Sequence, residues 1–147
     1  MMKEAEKINY INTLENRALI VEDFDEAVEA LNTLTTVDKT RARNITLNIL
    51  HKDIGDVFYQ ANAFEVLYDI DISGAVTYME ANASSVDPYI LQSMLTCVAV
   101  DVGATENRDA VMKGVEALRH ALNFRSADDL QKVKEKRNFF EDAYPPQ

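Results

Sequence analysis

Two histidines, one cysteine and one acidic hexapeptide are the residues of this chain whose type and spacing bear on chemistry. His51 stands in HKDIGD, two residues before Asp53. A His-x-Asp spacing can bring two ligands to a metal, but on a helix positions i and i+2 face different ways. A solvated histidine at a helix end is the expectation there. His120 follows Arg119 in EALRHALN, near a helix C-terminus, where the dipole favours a cation. Cys97 lies in the apolar run LTCVAV and reads as a small buried hydrophobe. A lone cysteine also rules out an internal disulfide. DIDISG, from Asp69 to Gly74, has two acids and a glycine at calcium-loop positions, and Glu80 is the twelfth residue from Asp69. Such a loop also needs an acid or amide where Ser73 stands, and it would have to unwind a segment with a helical pattern. Paired Glu-x-x-His motifs, a P-loop and a dinucleotide fingerprint are absent. No serine or cysteine has a base in local reach. The expectation is a chain without catalytic residues, metal or cofactor, one that acts by binding.

Charge then says what it would bind. The chain has 147 residues and a formal net charge of −10. Phosphate contacts need lysine and arginine, so nucleic acid is disfavoured as a ligand, as is an anionic membrane surface. A basic protein partner is allowed by complementarity. The distribution is sharper than the total. Asp53, Asp56, Glu65, Asp69, Asp71, Glu80, Asp87, Asp101 and Glu106 fall in a span, Asp53 to Asn107, that holds no lysine, arginine or histidine. From Lys113 onward seven bases face six acids. Solvated helices usually mix signs through i,i+4 pairing, and this span gives that pairing up. Tyr59, Tyr68, Tyr78 and Tyr89 lie within it, and tyrosine is a frequent interface anchor. The KVKEKR cluster, Lys132 to Arg137, reads as a solvated face.

Almost every segment carries a helical period with start and stop signals. A first run extends from Lys3 to Ala18, with Ile8, Ile11 and Leu14 on one side. Asp23 and Asp38 are placed to cap the next two, the former with Glu26 in capping-box register. From Asp53 the stripe is Ile54, Val57, Phe58, Ala61, Phe64, Leu67 and Tyr68. Asp71 or Ser73 caps a helix ending near Asn82, and Asp87-Pro88 opens another that Gly103 closes. Thr105 is placed to cap a helix containing Val111, Val115, Leu118 and Leu122. Ser126 caps the last, with Leu130, Val133, Phe139 and Phe140 on it, and residues 144–147 form a frayed tail. ITLNIL and CVAVDV, rich in β-branched residues, are the weakest helical segments. The fold class is therefore all-α: about eight short helices in antiparallel pairs, stacked as a helical repeat or gathered into a compact irregular bundle. Four glycines and three prolines leave no linker, so 1–147 reads as a single helical domain. No apolar run is long enough to span a bilayer. The N-terminus lacks the apolar centre of a signal peptide, and a cytoplasmic protein is expected.

The AFEVLYDID hairpin, the YMEAN helix end and the DPYILQSML helix start lie between His51 and Asp101. This region resembles the HEAT-like, all-helical immunity proteins of bacterial toxin systems, among them contact-dependent growth inhibition. The resemblance implies a cytosolic inhibitor that binds a cognate toxin domain, often a nuclease, as a monomer in a one-to-one complex. A nuclease is basic where it holds phosphates, and an acidic face can occupy that groove. The expected contacts are Asp53, Asp56, Glu65, Asp69, Asp71, Glu80 and Asp87, with Tyr68 and Tyr78 as anchors; Asp71 and Asp87 are also placed to be helix caps. The alternative is a helical-repeat adaptor or scaffold that binds a peptide or regulatory partner.

Overall fold

The computed structural model describes residues 3–146 and, among these, is all-helical. Nine α-helices follow in order: α1 Glu4–Ile20, α2 Phe24–Val37, α3 Lys39–His51, α4 Val57–Ile70, α5 Ile72–Asn82, α6 Pro88–Val100, α7 Arg108–Asn123, α8 Ala127–Lys132 and α9 Lys134–Ala143. A 3-10 turn, Asp101–Gly103, follows α6. Both β-branched segments are helical, apart from the Asp101-Val102 end of the second, which enters that turn. The chain divides into two compact units, one ending at Ile70 and one beginning at Asp71. The sequence carries no linker signal at this point because none is needed: Asp71 alone joins α4 to α5.

In the first unit α1 packs on α2 and α3 on α4, with α2 also against α3 and α4. Its core includes Ile11, Leu14, Ala30, Leu34 and Ala42, with Val37 and Ile70 against them. Short polar side chains set the helix starts. The Asp23 carboxylate accepts from the Glu26 N–H at 3.0 Å. Asp38 ends α2, donating its N–H to Leu34 O, and starts α3 by accepting from the Arg41 N–H. One residue thus serves both helix ends.

Helix α4 starts at Val57, not at Asp53. The Ile54 N–H reaches back to Ile49 O at 3.0 Å, with Asp53 in the left-handed region at φ 52°. That is a Schellman end for α3, with aspartate where glycine or asparagine is usual. Asp56 makes the actual start, accepting from the Tyr59 N–H at 2.9 Å. In the helix that begins there Tyr59 is buried and Phe58, expected on the inner stripe, is exposed. Ile8 and Phe139 likewise face outward.

In the second unit the main pairs are not neighbours in sequence: α5 packs on α7, and α6 on α9. Gly114 of α7 faces α5; a Cβ there would lie in contact, 3.4 Å from Met79 Cε and from Val76 Cγ2. Asp71, Asp87 and Ser126 cap α5, α6 and α8 through the Gly74, Tyr89 and Asp129 N–H groups. Thr105 does not cap α7. The 3-10 turn takes up Asp101–Gly103, and Asn107, at φ 56° and without a side-chain cap bond, precedes the helix. The last expected helix is two, broken at Val133. The expected fraying from residue 144 is corrected at Tyr144. Its ring is buried and its hydroxyl donates to Val98 O at 2.8 Å, while Arg119 Nη2 donates to its carbonyl at 3.1 Å. Gln147 lies outside the described residues.

Candidate partner-binding surface

The nine residues expected to contact a partner separate into three groups. Asp56, Asp71 and Asp87 are helix caps, each accepting a backbone N–H within 3.0 Å. Tyr68 and Tyr78 are each only 7% exposed. They are core residues of α4 and α5 and do not stand on the surface as anchors. The reason is tertiary: α4 buries eight of its fourteen residues, so a tyrosine next to Leu67 turns inward with it. Asp53, Glu65, Asp69 and Glu80 remain as exposed carboxylates.

The positions of these four are informative. Asp69 is the penultimate residue of α4, and Glu80 lies two residues before the end of α5. Neither helix has a base in its last turn. The backbone carbonyls there already carry partial negative charge, so an acid is unfavourable. Asp69 also follows Glu65 by four residues on the same exposed face of α4, a like-charge pairing that costs a helix a few tenths of a kcal/mol. Asp53 holds a left-handed position that glycine would fill more easily. Among the described residues the carboxylates of Asp53, Asp69 and Glu80 accept no capping hydrogen bond and have no ion-pair partner. These acids stand where local stability would place something else.

In the first unit, Asp53, Glu65 and Asp69 are carried by the α3 end and by α4. In the second, Glu80 lines a groove of about 670 Å³ formed largely by α5 and α7. Its lining includes Met79, Met112 and Ala117, with Asp109, Lys113, Glu116 and His120. His120, exposed in the last turn of α7, packs against Phe124 with ring centroids 4.7 Å apart and planes tilted by 56°. His51 is the last residue of α3. Cys97 is half-buried. The Asp69–Glu80 segment forms no calcium loop: α5 begins at Ile72 and carries Glu80 two turns along. Among the described residues no group of three or more His, Cys, Asp or Glu is arranged to hold a metal ion. No described helix is long and apolar enough to cross a membrane.

Sequence reasoning missed the groove, because Met112 and Asp109 meet Met79 and Glu80 only through the α5–α7 pairing. It also missed an exposed aromatic among acids, Phe24 in EDFDE, although alternation of that kind is legible in the sequence. Comparison of the chain with protein-family models, with curated proteins and with solved structures gives no match.

Proposed function

We propose that this chain is a cytoplasmic immunity protein that binds and neutralises a basic toxin domain, of nuclease type, through exposed carboxylates of its base-free span. One observation carries the reading: Asp53, Asp69 and Glu80 are exposed at places where their own helices disfavour an acid. Charge kept against local stability is accounted for by a use outside the fold. A cationic groove that binds phosphates is the natural complement, and long-range attraction speeds its capture. The contacts are Asp53, Glu65, Asp69 and Glu80; the capping acids add field without leaving their backbone partners. The groove on α5 and α7 supports a second reading, a peptide-binding adaptor, since methionine-lined grooves accept varied apolar side chains.

Growth assays separate the two. The protein encoded beside this chain in its source genome is expressed in a host, alone and with the chain. Arrest by the neighbour and rescue by the chain is the expected result. A neighbour that is harmless, or whose arrest persists when the chain is present, removes the immunity reading and leaves the adaptor.

A further inference from the structure

Three helix ends of the first unit meet at Tyr59. Its hydroxyl donates to Ala18 O in the last turn of α1 at 2.6 Å. Its ring stands edge-on to Phe24, the first residue of α2, at 6.2 Å and 74°. Its own N–H is held by Asp56 at the start of α4. Around this buried joint, large apolar side chains face outward: Ile20 is 64% exposed, Phe24 44% and Phe58 52%. Single exposed apolar residues need no explanation; three carried by helix ends that meet at one residue are a candidate contact surface. Ile20 also lines a notch of about 130 Å³ with Asn16, Arg17, Glu22, Asp23 and Glu26.

The charge at this corner decides what fits it. Glu22, Asp23, Glu26 and Arg17 line the notch with Ile20, Asp25 follows Phe24 in the chain, and Asp56 holds the Tyr59 N–H beside Phe58. Five carboxylates repel an anionic lipid surface and a nucleic acid alike. They also oppose a second copy of the same corner. An apolar centre ringed by one sign of charge matches an amphipathic partner of the other sign.

We propose that the α1–α2–α4 corner docks a cationic amphipathic segment of a protein partner. One apolar side chain seats among Ile20, Phe24 and Phe58, and lysine or arginine heads reach the surrounding carboxylates. The proposal rests on the reading that the chain binds a basic protein, and it adds an apolar-centred contact to the exposed carboxylates assigned above.

The probe is a synthetic helical peptide with leucine on one face and lysine on the other; its control carries glutamate in place of lysine. Amide shifts of the ¹⁵N-labelled chain are followed during titration. Saturable binding of the lysine peptide, with shifts confined to residues 17–27 and 56–59, is expected; the glutamate peptide gives none. Ile20→Ser with Phe24→Ser weakens binding by about tenfold or more, as loss of a central anchor does. Glu22→Lys with Asp25→Lys, which disturbs no apolar packing, gives a comparable loss, and both double variants keep the helical circular dichroism of the parent. Shifts centred on Glu65, Asp69 or Glu80 overturn the corner while leaving the acidic-surface reading in place. Equal binding by the variants, or no saturable binding, also overturns it, whereas the immunity reading stands or falls on the growth assay.

Discussion

Replacing Asp69 by lysine is expected to stabilise the fold. Asp69 is exposed in the last turn of α4, a helix of fourteen residues with no base in that turn. Reversing its charge turns an unfavourable dipole interaction into a favourable one, each side of which is worth about 0.3–1 kcal/mol at an exposed site. It also turns a like-charge i,i+4 neighbour of Glu65 into a Glu-then-Lys pair, the better orientation, for a further ~0.2–0.5 kcal/mol. Solvent screening and side-chain entropy reduce the sum, so the expected gain is about 0.5–1.5 kcal/mol at low salt. For a chain of this size that raises the melting temperature by roughly 1–6 °C. Urea unfolding followed by circular dichroism, at low and at high salt, reads both the gain and its electrostatic origin. The gain should shrink by half or more at high salt while the urea slope stays constant. If Asp69→Lys instead destabilises the protein at low salt, Asp69 supports the fold, and the inference that its charge serves a partner is wrong.

Three further outcomes follow from the packing. Tyr59→Phe keeps the ring against Phe24 but strands the buried Ala18 carbonyl, and should cost about 1–3 kcal/mol in urea unfolding. A cost below ~0.5 kcal/mol would mean that this carbonyl finds another partner. Burial holds the Tyr59 phenol above its ordinary range; at Tyr144 burial also raises it, aided by Asp101 and opposed by Arg108. The unfolded chain therefore loses these protons first. Stability should be flat with respect to both phenols below pH ~10 and fall above it by up to ~1.4 kcal/mol per pH unit per tyrosine. Tyr59→Phe should make that alkaline slope shallower, as pH-dependent urea titration would register. Gly114→Ala places a methyl at contact distance from Met79 and Val76, and should stabilise α7 by about 0.5–1 kcal/mol. Gly114→Leu overfills the same space and should lower stability by about 1–3 kcal/mol in the same assay.

Helix starts were the most legible part of the fold. Asp23, Asp38, Asp71, Asp87 and Ser126 all cap as their spacing indicates. A cap is local: a short oxygen-bearing side chain meets an N–H two or three residues on, and no distant contact is involved. Helix ends were less legible. The α3 end uses aspartate in a left-handed turn, and nothing in HKDIGD distinguishes Asp53, which ends a helix, from Asp56, which begins one. The break at Val133 has no proline or glycine to announce it. Tyr68 and Tyr78 show the limit for the site. Composition gives a tyrosine near acids, but whether it faces a partner or the core depends on neighbours that only the folded chain brings. Counting acids has the same weakness, since the carboxylates of Asp56, Asp71 and Asp87 hold backbone N–H groups and those of Asp53, Asp69 and Glu80 do not.

The most direct measurement is affinity capture from lysate of the source cells, with the parent chain beside a variant carrying Asp53→Asn, Asp69→Lys and Glu80→Lys. Asparagine suits the left-handed position at 53, so the variant should be at least as stable as the parent. The expected result is one basic protein, held by the parent through a high-salt wash and lost from the variant. Retention of that protein by both chains, or capture of nothing basic by the parent, would contradict the assignment of these carboxylates to a cationic partner.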